Sequence, residues 1–165
     1  MSTHVERPDL TDDILESWVR EDKPMPKENW HRKRKTRCKH EQVEIELQAV
    51  SGRTYAIYLR QSTITPADFS VGLRVCTDSG EWITLRRYNG AHGAHENRLE
   101  RESISGCHVH RATERYIAKG HSAEAYAEAT NRYATVEQAL QCLYQDCGFL
   151  KSHDQQSSLF DEPAN

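Results

Sequence analysis

The sequence predicts an α+β domain: an antiparallel sheet of about five strands, a C-terminal helix on one face, an N-terminal helical arm and a disordered C-terminal tail. Three observations predict it. From Gln42 onward apolar residues recur with period two in segments joined by short turns. Residues 135–147 switch to helical spacing, with Val136, Ala139, Leu140, Leu143, Tyr144 and Cys147 on one stripe. Both ends change composition and fall outside either pattern.

Residues 1–30 form an acidic arm, with eight carboxylates against four Lys or Arg. A short helix from about Asp9 to Arg20 is expected, capped by Asp9 or Thr11, with Ile14, Leu15, Trp18 and Val19 on one face. Lys23-Pro24-Met25-Pro26 then ends it. The helix either packs on the flank of the domain, residues 31–150, or serves as a detachable arm. A basic block opens that domain: six of residues 31–40 are Lys or Arg, namely Arg32, Lys33, Arg34, Lys35, Arg37 and Lys39. Such a run repels itself unless an anion neutralises it, and nucleic-acid phosphates do so with release of counterions. The block is therefore a candidate nucleic-acid contact, against the plainer reading of a solvated face.

Val43, Ile45 and Leu47 then alternate with polar residues, Ser51-Gly52 turns the chain, and Tyr55, Ile57 and Leu59 return it. Phe69–Val75 and Trp82–Tyr88 make the third and fourth strands, and Cys107–Ala112 the fifth. The connections are too short for crossover helices, so the sheet is antiparallel. Residues 117–134 fit neither period cleanly. Thr135 with Gln138 makes a capping box for the last helix, and Gly148 stops it. Residues 151–165 are polar and poor in core-forming residues, hence the disordered tail.

Between the fourth and fifth strands lies the densest chemistry in the chain. His92, His95, His108 and His110 occur there, four of nine histidines. Imidazole is the side chain best suited to proton transfer near neutrality and to binding transition metals. On a strand, His108 and His110 share one face, ~6–7 Å apart along the chain, with Val109 toward the core. Three readings fit. His92 or His95 joins His108 and His110 around zinc or another divalent metal. Alternatively, imidazoles of this set do acid–base work with Arg111 or Arg115 holding a phosphate, which suits RNA cleavage. Or the rings are structural and satisfy the loop backbone.

Composition narrows the setting. Five cysteines without a C-x-x-C pair indicate free thiols in a reducing cytoplasm. No run approaches the ~18 apolar residues of a membrane span, and no signal pattern opens the chain. Hydrophobic residues make up 36 % and the mean hydropathy is −0.85, so part of the chain is solvated.

Two resemblances add to this. Arg87-Tyr88-Asn89-Gly90, spaced histidines with Asn97, and Cys107-His108-Val109-His110-Arg111-Ala112-Thr113-Glu114-Arg115-Tyr116 resemble a family of small uncharacterised bacterial proteins, over about Arg53 to Gly148. That implies bacterial or phage origin and little chemistry. In the tail, Gln156, Ser158, Leu159 and Phe160 resemble the short peptide by which bacterial replication and repair proteins dock on the DNA sliding clamp. Ser157 departs from it, since Leu is common there. Two function classes follow. One is a clamp-docked protein acting on or near nucleic acid as a His-dependent nuclease or toxin-like protein. The other is a non-enzymatic inhibitor that competes for the clamp or another partner, with structural histidines.

Overall fold

In the computed structural model of the chain, residues 10–150 are described, save the side chains of His31 and Arg32. The elements run α1 (Asp12–Arg20), β1 (Lys23–Pro24), α2 (Trp30–Lys33), β2 (Lys35–Arg37), β3 (His40–Gln48), β4 (Thr54–Ser62), β5 (Phe69–Cys76) and β6 (Trp82–Asn89). Then come β7 (His95–Asn97), β8 (Glu102–Ile104), β9 (His108–Arg111), α3 (Glu114–Ala118), β10 (Tyr126–Ala129), α4 (Val136–Asp146) and β11 (Phe149–Leu150). The main sheet is antiparallel throughout, in the order β10-β9-β6-β5-β4-β3-β2. Seven strands replace the five expected. The two added ones are β2, inside the basic block, and β10, inside the stretch that fits neither period. Neither has the alternating apolar residues that mark a buried strand, because both sit at the sheet's edges.

Pairing follows the turns. With the β3–β4 turn at Ser51-Gly52, Val43 lies opposite Leu59, Ile45 opposite Ile57 and Leu47 opposite Tyr55. These pairs continue across β5 as Val71, Leu73 and Val75, all fully buried. One side of the sheet is thus apolar. A one-residue bulge at Leu73/Arg74 then admits Leu85 as an extra residue on β6. Beyond the bulge the alternation of β6 is inverted, since a one-residue slip exchanges the faces of a strand. Tyr88 therefore joins the apolar side opposite Val71, while Arg87 and Asn89 turn to the other, polar side.

Two helices, α1 and α4, contribute to the core. Thr11 caps α1 by accepting from the Ile14 N–H at 3.2 Å, and Leu15 and Val19 enter the core. The core placement favours the packed reading of this helix. Arg86 is drawn in with it, hydrogen-bonded to Glu16 of α1. The α4 helix has the expected Thr135–Gln138 capping box, contacts β5 and β6, and contributes Val136, Ala139, Leu140 and Leu143 to the core. Lys23, wholly buried, sets its Nζ 2.7–2.9 Å from the Trp18, Val19 and Glu21 carbonyls at the end of α1 and from the Cys147 carbonyl after α4. An ammonium between two helix C-termini sits where both dipoles favour it. Gly148 makes room beside it: a Cβ there would lie 2.4 Å from the Glu21 carbonyl oxygen. No helix among the described residues is long and apolar enough to cross a membrane.

Candidate functional site

Register carries polar residues across the sheet in two adjacent rows, because paired residues in an antiparallel ladder share a face. One row runs Lys35, Gln42, Arg60, Ser70, Asn89, His108 and Ala129, from edge to edge. Its neighbour runs Glu44, Tyr58, Gly72, Arg87, His110 and Ala127. Both lie on the polar side. The basic block and the histidine strand, about seventy residues apart in the chain, are two ends of one surface.

At the β9 end three imidazoles converge. The His95 ring centroid is 4.6 Å from that of His110 and 5.7 Å from that of His108, and the latter two are 5.0 Å apart. Each ring gives one N–H to a backbone carbonyl: His108 Nδ1 to Gly106, His110 Nδ1 to Glu124 and His95 Nε2 to Ala125, all at 2.8 Å. These bonds fix the tautomers, leaving the Nε2 atoms of His108 and His110 as acceptors. The Asn89 amide Nδ2 lies 3.4 Å from both, and Arg87 Nη2 lies 3.3 Å from His110 Nε2. Ser70 Oγ in turn donates to Asn89 Oδ1 at 2.9 Å. Burial, and then the Arg87 charge, depresses the His110 pKa to about 3, and burial lowers that of His108. Both rings are neutral at physiological pH.

This geometry separates the three histidine readings. His92 does not join the cluster; it is exposed, with Nε2 3.9 Å from Asp68 Oδ2, near His40, whose Nε2 is 3.4 Å from the same oxygen. The expected set of His92, His108 and His110 is therefore not brought together. Among the described residues no group of three His, Cys, Asp or Glu side chains is arranged to hold a metal ion. In the remaining trio, a cation beside His110 would meet the Arg87 guanidinium and displace the Asn89 amide, so zinc does not fit. Arg115 also lies elsewhere: it pairs with Glu100 at 2.5 Å and stacks over Tyr126 at 4.4 Å. Acid–base work needs a ring that substrate can reach. His108 is 3 % and His110 1 % exposed, roofed by His95, so in this conformation they hold structure together.

What they hold is the β7–β8 hairpin. Asn97, fully buried, takes both free backbone groups of Ala127: its Nδ2 donates to the carbonyl at 2.8 Å and its Oδ1 accepts the N–H at 2.9 Å. An amide thus pairs with β10 as a further strand would, closing that edge. The neighbouring cleft, about 320 Å³, is lined by Arg87, His95, Arg98, Tyr116, His121 and Glu124 among others, with Glu124 Oε1 3.4 Å from Arg87 Nη1.

The opposite end is open. A groove of about 820 Å³ runs between α2–β2 and the strands β3–β4, lined by Lys33, Arg34, Lys35, Gln42, Tyr58 and Arg60 among others. Arg34 is held by Glu41 at 3.3 Å, and Lys33 lies 3.9 Å from Glu28. Lys35, Arg37 and Lys39 are exposed, and with Arg60 they have no acidic partner among the described residues. Arg37 pairs with His40 two places along from Lys35, so it faces the same side. The basic block is thus only partly neutralised from within. Arg60 and Tyr58 were missed by sequence reasoning, although centring the turn on Ser51 sets Arg60 opposite Gln42.

Gln156, Ser158, Leu159 and Phe160 lie outside the described residues. Compared with family models, curated proteins and solved structures, the chain matches none.

Proposed function

We propose that the chain is a nucleic-acid-binding protein that lays a phosphate backbone along the groove beside β2, β3 and β4. The observation that carries this is the pair Lys35 and Arg60, without an acidic partner among the described residues, lining an 820 Å³ groove, with Arg37 on the same side of the sheet. Phosphate contacts supply most of the affinity of such an interface and release counterions. The chain's net charge of −3 makes the contact local rather than a property of the whole surface. The reading is non-enzymatic: the tautomers and burial of His108 and His110 support a structural role. The tail motif Gln156-Ser157-Ser158-Leu159-Phe160 supplies recruitment to the bacterial sliding clamp, which sets the basic groove beside DNA in the cytoplasm. Two apolar anchors and a glutamine amide suit a hydrophobic groove on the partner, burying roughly 1.5–3 kcal/mol per anchor before ordering costs.

Fluorescence anisotropy with a labelled oligonucleotide tests the groove. Lys35→Glu and Arg60→Glu each weaken binding uniformly across sequences, while unfolding midpoints stay unchanged. Unchanged affinity in the double variant removes the proposal. Calorimetric titration against the clamp tests the tail separately, where Leu159→Ala with Phe160→Ala abolishes the heat of binding. Cleavage is the second reading, favoured by Asn89 and His108 lying in the same row as Arg60. Shortening of an end-labelled RNA by the wild type, absent in His108→Asn, would establish it.

A further inference from the structure

The groove's aromatic floor narrows the ligand class, and the argument rests on the nucleic-acid reading above. Tyr58 does not stand up from β4. A Cβ on Gly72, its partner on β5, would fall 2.2 Å from Tyr58 Cε1, 2.3 Å from Cζ and 2.5 Å from Oη. The ring therefore lies down across β5, and only a residue without a Cβ allows it. Its hydroxyl end is covered there, which pushes its pKa up to about 12. The ring is half-buried and lines the open groove beside Lys35 and Arg60.

Another large aromatic on this side, Trp82, is already occupied: the Arg74 guanidinium sits 5.1 Å from its ring centroid. Among the described residues no ring or guanidinium is stacked on the Tyr58 ring, although Arg87 meets its hydroxyl end. A flat aromatic face next to unpartnered cations is the arrangement that accepts an unpaired base, with its phosphate on the flanking charges. A duplex presents no free base face to it.

We infer that the groove binds single-stranded nucleic acid, with one base stacked on Tyr58 and the adjoining phosphates on Lys35 and Arg60. The test is anisotropy at fixed low salt with labelled oligo(dT), oligo(U) and a duplex of equal length. Either single strand binds at least tenfold more tightly than the duplex. Tyr58→Ala loses tenfold or more on the single strand and little on the duplex, as expected for one stacked base. Tyr58→Phe retains most of the affinity, which separates stacking from the hydroxyl. Gly72→Ala, which must push the ring aside, behaves like Tyr58→Ala; thermal melts check that each variant is folded. Equal binding of duplex and single strand, or wild-type affinity in Tyr58→Ala, overturns the stacked-base inference while leaving the phosphate track standing. Binding of neither form removes the track and the inference together.

Discussion

At the residue scale, two buried groups set measurable properties. Lys23 satisfies four carbonyls at the ends of two helices. Lys23→Met keeps the volume and removes the donors, so unfolding in urea should show a loss of about 2–4 kcal/mol. His110 has the opposite character, a ring kept neutral at a pKa of about 3. Between about pH 6.5 and 3 the unfolded chain binds a proton that the folded chain excludes. Stability therefore rises with pH across that window and is lost on acidification. From pH 7.5 to pH 5 this ring alone contributes a loss of about 2 kcal/mol. His110→Asn should flatten the profile of unfolding free energy above pH 5; a slope identical to that of the wild type would contradict the assignment.

At the element scale, the bulge on β6 and the β7–β8 hairpin decide what the polar side presents. Without the extra Leu85, Arg87 and Asn89 would face the apolar side, and the histidines would lose their donors. Asn97→Ala removes both hydrogen bonds to Ala127, leaving buried backbone groups unpaired. The expected outcome is a loss of about 2–4 kcal/mol, with faster amide exchange at Ala127 than elsewhere in the sheet. These elements also mark how far the sequence could be read. The antiparallel pairing of β3 to β6 was legible because Val43, Ile45, Tyr55, Ile57, Val71 and Leu73 alternate around short turns. The side shared by His108 and His110 was legible for the same reason. The bulge was not, since Trp82–Asn89 reads as continuous alternation until Leu85 and Arg86 both prove buried. Nor was His95 separable from His92, because the choice between two loop imidazoles is made by β7 pairing with β8, a hairpin with almost no apolar signal.

At the scale of the whole molecule, one sheet joins two different arrangements of polar side chains. Its β9–β10 end is a closed hydrogen-bonded lock of His95, Asn97, His108 and His110. Its β2–β4 end is an open basic groove over Tyr58. With the lock stabilising the fold and the groove proposed to bind nucleic acid, substitutions at the two ends should be independent. His110→Asn lowers stability without changing oligonucleotide affinity, whereas Arg60→Glu does the reverse; additivity in the double variant checks this. The salt dependence of single-strand binding tests the central claim most directly. With phosphates on Lys35 and Arg60, the logarithm of affinity should fall against the logarithm of salt with a slope of about −1.4, from ~0.7 per contact. In Lys35→Glu with Arg60→Glu that slope should collapse toward zero. A slope that persists in this folded double variant, or no binding by the wild type even at the lowest salt, would contradict the account.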